Sequence, residues 1–116
     1  MEEEKSLFLK FFGNSPSLRM MDFLLEHRLE DFTKTEIAKG AGISWASLFN
    51  HWEVLEAHGV VKPTRTVGRA TLFQLNEESP VVRQLVQMER TLIQQSADEE
   101  VEKMTVRPAR ARMRPK

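Results

Sequence analysis

The chain has 116 residues, 41% of them hydrophobic and 29% charged, which suits one small domain with a core and rules out a chain disordered throughout. Seventeen basic and 17 acidic side chains cancel to a net charge of zero, which argues against a protein whose main task is to hold a polyanion. No cysteine is present, no apolar run nears the ~18 residues of a membrane helix, and the start is acidic, so disulfide, thiolate, membrane-spanning and secreted classes fall away and a cytoplasmic protein is expected.

The zero is a sum over blocks. Residues 1–5 carry net −2, residues 6–97 are balanced, and residues 98–104 carry net −3. Residues 105–116 carry net +5 with two prolines and no acid, and are expected to be a flexible tail.

In chain order, Leu7, Phe8, Leu9, Phe11 and Phe12 form an apolar helical segment that stops at Gly13. Ser15-Pro16 reads as an N-cap with proline at the first helical position, opening a helix that carries Leu18, Met21 and Leu25 and is predicted to run to about Glu30. Thr33-Lys34-Thr35-Glu36 is a capping box, stapled by Phe32 and Ile37, for a short helix interrupted at Gly40-Ala41-Gly42. Ser44 caps a third helix, stapled by Ile43 and Leu48, that ends near His58 and Gly59. Two stapled helices around a glycine turn are the signature of a helix-turn-helix. Val60 to Val67 and Ala70 to Leu75, around Gly68-Arg69, predict a β-hairpin with Pro63 confining the first run to an edge. Ser79-Pro80 opens a last amphipathic helix to about Ser96, in which Val81, Leu85, Met88 and Leu92 recur at the 4-3-4 spacing of a helix-pairing seam.

The order helix, helix-turn-helix, hairpin, helix predicts a mainly α fold with a small hairpin (α+β). It resembles the prokaryotic, especially archaeal, winged helix-turn-helix transcription regulators. The resemblance rests on Phe11-Phe12-Gly13-Asn14-Ser15-Pro16, on Thr35-Glu36-Ile37-Ala38 with Ala41-Gly42-Ile43-Ser44, on Leu48, Trp52, Leu55, Glu56, Gly59-Val60-Val61 and Arg65, and on Gly68-Arg69-Ala70, Leu72-Phe73 and Leu75-Asn76. It spans roughly residues 7–95 and implies an N-terminal helical segment (1–13), a winged helix-turn-helix (14–76), a C-terminal dimerisation helix (77–97) and an acidic-then-basic end (98–116). The implied partners are double-stranded DNA and a second copy of the chain, with no cofactor, membrane or small-molecule ligand. Recognition helix 44–58 would lie in the major groove and wing 60–75 on the backbone or in the minor groove.

Projecting the third helix at about 100° per residue groups Leu48, Trp52 and Leu55 inward and Ala46, Ser47, Asn50 and Glu53 outward, with Val54 beside them. Trp45 falls at the border. Small Ala46 and Ser47 let the backbone approach base edges, Ala46 suits a thymine methyl and Asn50 suits adenine. Ser44, Trp45, Ala46, Ser47 and Asn50 are therefore the candidate base-proximal residues. Lys34 and Thr35, at a helix start whose free amides attract phosphate, and wing residues Arg65 and Arg69 are the candidate backbone contacts. The third helix holds no Lys or Arg, and Glu53 repels phosphate, so residues 32–75 reach only net +2. That weak footprint keeps a winged-helix protein-interaction module, or a nonspecific chromatin or partition protein, as alternatives.

No nucleophile–base pairing or phosphate loop emerges, so no enzyme is expected. His27, His51 and His58 have no partners at metal spacing. Leu7, Phe8 and Phe11 with Leu85, Met88 and Leu92 are expected to build a homodimer interface, because a three-helix core has no obvious need of both terminal segments.

Overall fold

The computed structural model describes residues 6–104; the basic segment 105–116 lies outside the described residues. The elements are α1 (Leu7–Phe12), α2 (Pro16–Glu26), α3 (Lys34–Ala41), α4 (Trp45–Ala57), β1 (Val61–Val67), β2 (Ala70–Leu75) and α5 (Pro80–Met104).

Local chemistry explains the boundaries. The hydroxyls of Ser6, Ser15, Thr33 and Ser44 each accept from the backbone N–H three residues on, and Glu36 returns the bond to the Thr33 N–H at 2.9 Å. α2 is shorter than its apolar pattern suggests. It ends at Glu26, where His27 takes the cap position and its ring bonds the Phe23 carbonyl at 2.9 Å, leaving Leu29 in solvent. Conversely, α5 is longer, continuing past Ser96 through the acidic stretch to Met104. Ala97, Glu99, Glu100, Glu102 and Lys103 are all good helix formers, and nothing there breaks the helix.

The turn between α3 and α4 is built against α2. Gly40 remains helical, and a Cβ there would run into the Phe23 ring. Gly42 closes α3 in the left-handed conformation (φ 72°). Arg19 of α2 donates from Nε to the Ala41 carbonyl at 2.9 Å, tying down the C-terminal end of α3. At Gly42 the positive φ disfavours any side chain, which would also have to push the Arg19 guanidinium aside.

The hairpin is antiparallel, pairing Val61 with Leu75 and Val67 with Ala70, with an irregularity between Pro63 and Arg65. Gly68 (φ 65°) supplies the positive φ that a two-residue hairpin loop needs at its first central position. Phe32 adds a one-residue bridge to β2, exchanging both backbone bonds with Phe73 at 2.8 and 2.7 Å. Pro63 faces Phe73, whose N–H and C=O already serve Phe32, so its missing donor leaves no acceptor unmet.

One core joins every element. Phe8, Met20, Leu24, Ile37, Leu48, Leu55, Leu75 and Val82 are its largest fully buried side chains. Each contributes about 1.5–3 kcal/mol by leaving water. No helix among the described residues is long and apolar enough to cross a membrane.

Candidate nucleic-acid interface

The start of α3, the whole of α4 and the hairpin converge on one aromatic contact. Trp52 of α4 meets Phe73 of β2 edge to face, with ring centroids 4.9 Å apart. The Lys34 ammonium lies 5.2 Å from the Trp52 ring and 5.7 Å from Phe73. Lys34, read from sequence as a phosphate contact, thus rests on these two rings, while neighbouring Thr35 is exposed.

Burial fixes the orientation of α4. Leu48, Trp52 and Leu55 face the core, and Ser44, Ala46, Asn50, Glu53 and Val54 are exposed, with Ser47 half-buried. Trp45 is 52% exposed, well outside the border position that the projection gave it. It leans against Phe49, 64% exposed, with ring centroids 6.3 Å apart. Phe49 is not among the contacts expected from sequence, although its place one turn after Trp45, away from Leu48, signals an exposed position.

The histidines are engaged locally. His51 Nδ1 bonds the Ser47 carbonyl at 2.8 Å and His58 Nδ1 the Val54 carbonyl at 3.0 Å, so each carries its proton on that nitrogen. Among the described residues, no group of three His, Asp or Glu side chains could hold a metal ion.

On the hairpin, Arg69 stands exposed in the turn. Arg65 does not stand alone. Its Nε and Nη2 donate to the two Asp31 oxygens at 2.9 and 3.2 Å, and Thr64 donates to the same carboxylate at 2.5 Å. Hydrogen bonds from Arg65 and then Thr64 hold the Asp31 carboxyl below its ordinary pKa, and the pair holds Arg65 more firmly charged. This side-on clamp uses one edge of the guanidinium and leaves the Nη1 edge for another acceptor. No local pattern announces it, since Asp31 and Arg65 are 34 residues apart.

The terminal segments divide differently from the sequence reading. Phe8 is only 1% exposed and belongs to the core of its own protomer, so it is withdrawn from any surface for a second copy. Leu7 is half-buried and Phe11 is 61% exposed, with Phe12 set edge to face against it at 4.9 Å. Along α5 the buried position is Val82, and Leu85 packs on the core beside Val86. Leu92 is half-buried and Met88 40% exposed, so the 4-3-4 seam straddles the edge of the packed face. Between α5 and α2, Glu26 and Glu89 are both raised in pKa, chiefly by burial, with Asp22 adding repulsion. The Asp22 carboxylate itself accepts from the Ser6 hydroxyl at 2.7 Å.

No family model matches the chain, and no curated protein matches it in sequence. Solved structures do match in fold. A variant of ZitR from Lactococcus lactis in apo form superposes with a TM-score of 0.56 at 19% identity, over 84% of this chain and 76% of that one. Rv0081 of M. tuberculosis gives 0.53 at 22% identity, over 81% and 89%. Mb0332 of Mycobacterium bovis, described as a homodimeric winged helix-turn-helix DNA-binding domain and a possible ArsR-family transcriptional regulator, gives 0.49 at 21% identity, over 83% and 80%. The observed order, a helix, the α3–turn–α4 pair and the β1–β2 hairpin, is that of a winged helix-turn-helix. At these identities the likeness concerns the fold.

Proposed function

We propose that the chain is a sequence-specific DNA-binding transcription regulator that works as a homodimer. The observation that carries this reading is the convergence at Trp52 and Phe73, which packs the α3 start, α4 and the hairpin together while α4 keeps its outer face uncovered. A helix about 10–12 Å across fits the major groove. Ser44, Trp45, Ala46, Ser47 and Asn50 then lie near base edges, Thr35 and Lys34 near one phosphate run, and Arg65 and Arg69 near the backbone or minor groove. The exposed residues of α1 and α5, Phe11 and Met88, with half-buried Leu7, Leu85 and Leu92 beside them, are the proposed contact between copies. Such a dimer places two recognition helices on half-sites ~34 Å apart.

The second reading, a protein-interaction module, draws on the same helix, since α4 offers two exposed aromatics and two glutamates with no cation. Binding to random and selected duplex pools across salt concentrations separates the two. Enrichment of particular sequences supports the regulator, binding without selection assigns a chromatin-like role, and no binding at low salt assigns the interaction module. Arg65→Ala with Arg69→Ala should weaken binding to all sequences and flatten the salt slope, whereas Asn50→Ala should shift preference at one base position. Sedimentation equilibrium at micromolar concentration tests the dimer, which a monomer alone would contradict.

A further inference from the structure

The chemistry of the first two turns of α4 narrows what a DNA site can be. From α3 to the end of the hairpin, every Lys and Arg sits on the elements packed against α4: Lys34 and Lys39 on α3, Lys62, Arg65 and Arg69 on the hairpin. α4 itself has none. Positive charge thus stands where phosphates border a groove, and an uncharged surface stands where base edges form its floor. The commonest specific contact to guanine is bidentate, from Arg or Lys, and α4 has neither. Glu53 and Glu56, able to accept from a cytosine amino group, belong to the last two turns. What the first two turns present is Asn50, matched to adenine, and next to it two large aromatic side chains, each more than half exposed.

Resting on the DNA-binding reading above, we infer that Trp45 and Phe49 form an apolar reading surface for thymine 5-methyl groups, so that with Asn50 the helix selects A·T pairs in the major groove. The dimensions suit this. The two ring centroids are 6.3 Å apart, close to two base steps of about 3.4 Å along one strand. An exposed aromatic pair gains by covering a methyl group and excluding water from it. The same surface gains nothing from the exposed amino groups and carbonyl oxygens of G·C pairs, which would lose water without finding a partner.

The test removes the methyl group and leaves everything else. Duplexes enriched by the chain from a random pool are compared with the same sequences carrying deoxyuridine in place of thymidine, which keeps base pairing and the minor-groove edge. Binding should weaken about fourfold for each methyl group covered, the equivalent of one buried CH₂. In Trp45→Ala or Phe49→Ala alone the preference for thymidine should shrink, and in the double variant the thymidine and deoxyuridine duplexes should bind alike. Each variant serves as its own control, because only the ratio of its two affinities is read, and both positions are exposed, so the fold is retained. Equal affinity of the unaltered chain for both duplexes overturns the inference while leaving the DNA-binding reading in place. A thymidine preference that survives both substitutions also overturns it, placing the contact on Ala46. Failure to enrich any sequence removes both the inference and the reading beneath it.

Discussion

Helix α4 and the β1–β2 hairpin are held together by the same contact, Trp52 against Phe73, yet they meet solvent in opposite ways. α4 is anchored by three side chains that are at most 4% exposed and turns outward aromatic, amide, small and acidic residues. The hairpin is exposed from Pro63 to Thr71 and turns outward charge, one arginine of which is already clamped by Asp31. Rigid anchoring suits a surface that discriminates by shape and by contact at short range. An exposed ribbon bearing Arg65 and Arg69 suits an acceptor that is the same along every sequence. Under the proposed DNA-binding reading, discrimination falls to α4 and general attraction to the hairpin.

The sharpest way to break that division is through the anchor. Leu48→Ala removes a side chain with no exposure and should cost about 2–5 kcal/mol in urea unfolding. Val67→Ala on the hairpin, at 57% exposure, should stay within about 0.5 kcal/mol. Equal costs would show that α4 is no better anchored than the hairpin. Next in size, Ser44→Ala deletes the cap bond to the Ser47 N–H and should cost about 1 kcal/mol.

Two carboxylates give smaller effects of opposite sign. Glu89 is raised above its ordinary 4.5, chiefly by burial, so the folded state holds its proton more tightly than the unfolded chain and stability falls as pH rises through the raised value. Glu89→Gln should therefore melt higher than the unaltered chain at pH 7, with the gap closing as pH falls through the raised value and gone well below 4.5. Asp31 is lowered by Arg65 and Thr64, so its contribution is present at neutral pH and is lost as pH falls through its depressed pKa. Asp31→Asn should melt slightly lower at pH 7 and match the unaltered chain in acid, the smallest change of the set because the pair is exposed. Thermal scans against pH read both.

Much of the scaffold was legible because its signals are local. Caps at Ser15, Thr33 and Ser44, and glycines at 13, 42 and 59, each act within one turn of chain. The inward row of α4 followed from helical period alone. What escaped depended on residues distant in sequence. Arg19 on the end of α3, the Phe32 bridge to Phe73 and the Asp31–Arg65 clamp join positions 22 to 41 residues apart, and composition carries no trace of such pairings. Phe8 shows the same limit from the other side. Its apolar segment was visible, but whether it entered this core or another copy's surface was decided by where α2 and α5 run.

The extra length of α5 bears on how association can be observed. Residues 97–103 are helical and all exposed, a stretch beyond the last core contact of the helix. A helix end that packs on nothing frays, opening at little cost in free energy. The backbone amides of this stretch therefore form a natural gauge. Their hydrogen-exchange rates should be fast in dilute solution and slow with rising protein concentration or added DNA, if either brings a second surface alongside, without any label attached to the chain.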